Sequence, residues 1–131
     1  MIVKGNKILG GRSVEGMIIV QKENFSFFGD VNRETGVINV GTNAGESFKD
    51  KILVFPQSKG STLAPYVATD CKRNGVAPKA ILCQKADGVV AMVAILADIP
   101  TMDQFDKDIM EVLKTGDRVR VEPDKGFIEI L

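Results

Sequence analysis

The sequence has 131 residues, 44% of them hydrophobic and 26% charged, with 17 basic and 17 acidic side chains and a net charge of zero. That balance argues against a protein that binds nucleic acid chiefly by neutralising phosphates, and the length suits one domain over residues 1–131 with a core of its own. The longest apolar run, VVAMVAILA (89–97), is far shorter than a bilayer span and MIVKGNKILGG lacks the apolar stretch of a secretory signal, so a cytoplasmic location is expected.

In chain order, MIIV (17–20) and GVINV (36–40) have strand composition, and KILVF (51–55) follows them. A helix is predicted over 63–73, because Leu63, Tyr66, Val67 and Cys71 share one face and Asn74-Gly75 supplies a left-handed stop. KAILC (79–83) is the next strand. It and KILVF are continuously apolar, as strands covered on both faces should be. Residues 87–97 read as a helix capped by Asp87 and apolar almost all round, which predicts burial on every side. IPTM (99–102) is strand-like, and DQFDKDIMEVLKTGD (103–117) carries a third, shorter helix ending near Gly116. RVRVE (118–122) and FIEIL (127–131) alternate strictly around PDKG and predict a closing hairpin with one wet face. Successive strand–helix–strand units favour a parallel core. The expected fold is therefore α/β: a β/β/α domain with a partly parallel core, flanking strands forming a second sheet or an open barrel, and two to three helices.

Cys71 and Cys83 are the only cysteines, and histidine is absent. A structural metal site usually needs four such ligands, so the two thiols read as buried and free in a reducing compartment. Any metal has to come from elsewhere.

The loop with chemical potential is KGST (59–62), between the KILVF strand and the first helix. In open α/β sheets ligands bind beyond the carboxyl ends of the strands, and a helix N-terminus there offers unpaired N–H groups to an anion. Gly60 would permit close approach to the backbone, and Ser61 and Thr62 either cap the helix or face a ligand. Pro65 is acceptable in a first helical turn. The order Lys-Gly-Ser-Thr is not that of a P-loop, and GGRSVEG (10–16) has the GxxxxG spacing but continues with Met17, which argues against nucleotide hydrolysis. A Ser–His pair cannot be assembled within a chain that lacks histidine. A reactive serine here would need oriented N–H groups or a nearby cation, and Lys59 reads as a solvated surface lysine.

Taken together and in order, GGRSVEG (10–16), FSFFGDVNRETGVI (25–38), GESFKDKILVFPQSKGSTLAPYV (45–67) and RNGVAPKAILCQKADGVVAMVAILADIP (73–100) resemble the small subunit of the aconitase X family. The C-terminal TGDRVRVEPDKGFIEI fits the same pattern. The resemblance implies a swivelling β/β/α domain that works with a separate large subunit as a heterodimer or higher assembly. It implies a 4Fe–4S cluster held by that large subunit and none bound by this chain alone. Ser61 matches the family's catalytic serine, a proton acceptor, while Gly60 and Thr62 would shape the substrate pocket. The implied reaction is dehydration of a hydroxy acid, foremost (R)-5-phosphomevalonate to trans-anhydromevalonate 5-phosphate in the archaeal mevalonate route. Hydroxyproline dehydration, as in bacterial members, and a non-catalytic binding or regulatory module on the same fold are the alternatives. The chain departs from the family pattern at Asp30, where a second glycine is frequent, at Thr42-Asn43, where a histidine is common, and at Ala64-Pro65 after KGST.

Overall fold

The computed structural model describes all 131 residues. Its strands are β1 (Ile2–Lys4), β2 (Asn6–Leu9), β3 (Val14–Val20), β4 (Ile52–Phe55), β5 (Ala80–Cys83), β6 (Thr101–Asp103), β7 (Arg118–Glu122) and β8 (Phe127–Ile130). The helices are a single irregular turn, α1 (Phe27–Asp30), then α2 (Ala64–Arg73), α3 (Gly88–Ala97) and the one-turn α4 (Ile109–Val112). None is long and apolar enough to cross a membrane.

β4 and β5 are buried at every residue and lie side by side in parallel. β3 and β6 flank them, also parallel, with α2 crossing over between β4 and β5 and α3 between β5 and β6. The eight strands form one sheet in the order β1-β8-β7-β3-β4-β5-β6-β2. β3 joins its two halves: Val14–Met17 pair antiparallel with β7, and Ile18–Val20 pair parallel with β4. β7 and β8 form the predicted hairpin.

The two edge strands are consecutive in the chain, with only Gly5 between them. In a flat eight-stranded sheet the edges would stand roughly 34 Å apart. One residue cannot span that, so the sheet curls until its edges meet, as an open barrel. Gly5 sits at the join, where an added Cβ would come within 2.5 Å of the Phe105 ring. The inside of the curl is filled by Ile18, Val54, Leu82, Met102, Val121 and their neighbours. The outer face of the parallel half packs under α2 and α3, around Ile19, Leu53, Ile81, Val67 and Val93. A group of phenylalanines extends that layer, with the Phe25 and Phe27 rings 5.4 Å apart edge to face and Phe25 and Phe55 5.6 Å apart.

Several elements differ from the sequence reading, among them the third helix, which is one turn ending at Val112 and not near Gly116. GVINV is not a strand; Val37 and Ile38 make only isolated bridges, to Ser47 and Val31. The chain turns at both ends of this segment, with φ of 73° at Gly36 and 77° at Gly41. Gly36 is tightly placed, since a Cβ there would meet the Val76 carbonyl oxygen at 2.7 Å. β1 and β2 carry no clear alternation and were not predicted; their pairing partners are β8 and β6, about a hundred residues away in sequence. Finally, α3 is not buried all round. Val90, Val93, Ala94 and Ala97 face the core, while Met92, Ile95 and Leu96 are exposed.

Candidate active site

β4 ends at Phe55, and the chain runs on to α2 through residues 56–63. The loop first continues the parallel ladder: Phe25 N–H donates to the Gln57 carbonyl at 3.0 Å, and Lys59 N–H donates to the Phe25 carbonyl at 3.3 Å. KGST thus emerges beyond the carboxyl ends of the parallel strands, where the sequence placed it.

Ser58 holds the loop in shape. Its hydroxyl donates to Asp87 Oδ2 at 2.5 Å and accepts the Gly60 N–H at 3.0 Å. Asp87 uses its other oxygen to cap α3, accepting the Val90 N–H at 3.0 Å. One carboxylate therefore ties the KGST loop to the start of the neighbouring helix. Partial burial pushes the Asp87 carboxyl up, but the hydrogen bonds from Ser58 and from the Val90, Asp87 and Val89 N–H groups outweigh it, and the net shift is downward. Gly60 turns the loop at φ 84° in open space.

Lys59 is not the free surface lysine expected from the sequence. Its ammonium lies 2.8 Å from Asp30 Oδ2. Asp30 is only 8% exposed, and the same oxygen accepts the Ser26 N–H at 3.0 Å. The residue that departs from the family's frequent glycine is thus the anchor for the loop lysine. Because Lys59 is committed to Asp30, it is not a cation turned toward Ser61.

Ser61 lies at the mouth of α2. Its hydroxyl accepts the Leu63 N–H at 3.2 Å and its carbonyl accepts the Ala64 N–H at 3.2 Å, so it shapes the turn before the helix. The helix cap itself is Leu63, which contributes no side-chain bond, and Pro65 sits in the first turn as anticipated. The Ser61 and Thr62 N–H groups donate to nothing within the chain, and Thr62 is exposed. Two free N–H groups, a hydroxyl and the positive end of a ten-residue helix together suit an anionic oxygen.

The GTNAG run where the family commonly has histidine is structural. Thr42 gives its N–H and its hydroxyl to Glu23, and these bonds hold the Glu23 carboxyl below its ordinary value. Asn43 is buried and donates to the Val20 carbonyl at 2.5 Å and to Gln21 Oε1 at 3.0 Å. Both bridges brace the segment that follows β3 at the same end of the sheet. Serine and aspartate at positions 58 and 87 were legible only as a loop residue and a helix cap; their meeting was not.

The chain's own residues do not suit an iron–sulfur cluster. Cys71 and Cys83 are fully buried in the core under α2 and α3, and burial pushes their thiols up to about 11 and about 12. The Cys83 thiol donates to the Pro56 carbonyl at 3.2 Å. A cluster needs several thiolates converging on one point, and no three cysteine, aspartate or glutamate side chains converge anywhere in the chain.

The same fold occurs in known proteins. The chain is 46% identical over 133 residues to the phosphomevalonate dehydratase small subunit of Thermococcus kodakarensis, a match covering 100% of this chain and 97% of that protein. It is 43% identical over 125 residues to the Archaeoglobus fulgidus protein of the same name, covering 95% and 94%. The crystal structure of Thermococcus kodakaraensis aconitase X in its holo form superposes with a TM-score of 0.93 at 45% identity, covering 100% of this chain and 98% of that one. The family profile of the aconitase X swivel domain spans residues 2–130, the curled sheet, both long helices and the KGST loop alike. By fold, by length and by sequence, the chain belongs to the aconitase X swivel-domain family.

Proposed function

We propose that this chain is the small subunit of a two-chain hydro-lyase that dehydrates (R)-5-phosphomevalonate to trans-anhydromevalonate 5-phosphate. The observation that carries the reading is its full-length similarity to archaeal phosphomevalonate dehydratase small subunits. The local geometry supports the division of roles. Ser61 accepts the proton from the carbon beside the substrate carboxylate as hydroxide departs from the next carbon, leaving the alkene acid. The Leu63 N–H donates to the Ser61 oxygen and lies at the positive end of α2, which favours the deprotonated hydroxyl. The Ser61 and Thr62 N–H groups are available to an anionic oxygen of the substrate, and the left-handed turn at Gly60 keeps side-chain bulk away from it.

The site is half of a composite one. This chain offers no converging set of cluster ligands, and in this reading the larger subunit carries the iron–sulfur cluster. The test is reconstitution with that larger chain, with 5-phosphomevalonate as substrate. General-base catalysis contributes roughly 10²–10⁴-fold. Ser61→Ala is therefore expected to lose at least about a hundredfold in kcat while the two chains still co-elute. Retention of more than about a tenth of the wild-type rate would remove Ser61 from the role of base.

A further inference from the structure

The least expected feature of the surface is the outward face of α3. Met92 is 45% exposed, Ile95 56% and Leu96 51%, spaced so that they line one side of the helix. Tyr66 on α2, 66% exposed, and Leu63 before it, 48% exposed, extend the apolar surface across to the neighbouring helix. Between the two helices runs an open groove of about 510 Å³, bounded by Tyr66, Met92 and Leu96 and reaching Gly60 and Thr62. Isolated exposed apolar side chains are ordinary, but several on adjoining helices around one groove mark a surface that is covered in the working assembly.

We propose that the α2–α3 face, centred on Tyr66, Met92, Ile95 and Leu96, is the surface on which the larger subunit of the enzyme docks. The proposal rests on the two-chain reading above. Three observations select this occupant. The groove is continuous with the KGST loop, so a chain that completes the active site over Gly60 and Thr62 has this apolar face as its immediate neighbour. A second copy of this chain seated there would cover the same loop and close the site to both substrate and partner. An anionic lipid surface does not fit, because no lysine or arginine lines the groove. The only charged lining residue, Asp87, is occupied by Ser58 and by the cap of α3. Tyrosine and methionine, here Tyr66 and Met92, are among the residue types enriched at protein interfaces.

The test uses the reconstituted two-chain enzyme, titrating the small chain onto the large one by analytical ultracentrifugation and by recovered turnover. The double variant Met92→Asp/Ile95→Asp should raise the half-saturating concentration at least tenfold. Both side chains are about half exposed, so the isolated variant should keep the wild-type circular dichroism spectrum, with a thermal midpoint only slightly lowered by an aspartate in the last turn of α3. Met17→Lys, exposed on β3 outside the groove, should stay within twofold of wild type. Unchanged assembly of the double variant would overturn the docking surface and leave the dehydratase reading intact. So would self-association of the free chain through this face with the two-chain complex unaffected. Assembly that is lost in the double variant, in a wild-type complex that does not act on 5-phosphomevalonate, would keep the surface and overturn the substrate instead.

Discussion

The hydroxyl of Ser58 lies 2.5 Å from the carboxylate of Asp87, joining the loop after β4 to the helix after β5. Neither residue is in KGST, yet this contact fixes how KGST is presented. Ser58 also receives the Gly60 N–H, and Asp87 also caps α3, so the shape of the loop and the start of the helix are set together.

Removing that tie should therefore loosen the loop more than it destabilises the fold. Ser58→Ala is expected to cost about 1 kcal/mol in urea unfolding, the net worth of an ordinary hydrogen bond, because water partly reaches this charged pair. Asp87→Ala also loses the helix cap, and should cost about 1–2 kcal/mol. In the reconstituted enzyme both should lower kcat by a larger factor than their stability loss implies. A proportionate fall would mean that the tie only supports the fold.

Gly60→Ala separates conformation from contact. Nothing lies within 4 Å of a Cβ at this position, so the only penalty is the left-handed φ of 84°. A destabilisation of about 1 kcal/mol is expected from chemical denaturation. A loop that flips to relieve this strain would also lose the Gly60–Ser58 hydrogen bond, and turnover should fall with it.

Lys59 and Asp30 are not equivalent partners. Asp30 is nearly buried and accepts both the ammonium and the Ser26 N–H, while Lys59 is about half exposed. Solvent screening keeps the ion pair itself modest, on the order of 1 kcal/mol or less for Lys59→Met. Asp30→Ala orphans a buried N–H as well and should cost more, about 1–3 kcal/mol. Equal losses in the two variants, measured by thermal or urea melts, would contradict this asymmetry.

The buried thiols set a limit on alkaline stability. Their folded-state values of about 11 and about 12 lie above the ordinary 9.0. A raised value means that the folded state favours the protonated thiol. The associated stability is complete below pH 9.0 and is lost as pH rises toward 11 and 12. Asp87 has the opposite sign: its lowered value adds stability above the ordinary 3.8, lost as pH falls below it. Both thiols should resist an aromatic disulfide reagent at pH 8 in the native chain and react once it is unfolded in denaturant. Rapid native labelling of either cysteine would show that its segment opens readily.

Much of this architecture was legible in the residues. The continuous apolar runs KILVF and KAILC marked strands buried on both faces, and they are the adjacent parallel strands β4 and β5. Asn74-Gly75 ended α2 and Asp87 began α3 as their local chemistry requires. Glycine and valine in GVINV suggested a strand, but positive φ at Gly36 and Gly41 overrode that composition. The uniformly apolar sequence of α3 gave the wrong burial because periodicity shows which residues can be buried and not what is present to bury them.

Signals that act within a few residues were readable directly: apolar runs, helix stops and caps, and a loop with Lys59, Gly60, Ser61 and Thr62 at a strand-to-helix junction. The tertiary structure alone decided what meets across long separations. It brought Asp30 to Lys59, Ser58 to Asp87, and the two edges of the sheet together at Gly5. Local rules arise from hydrogen bonds and sterics between near neighbours in the chain. These pairings depend on which faces pack when the sheet curls, and no short stretch of residues carries that information.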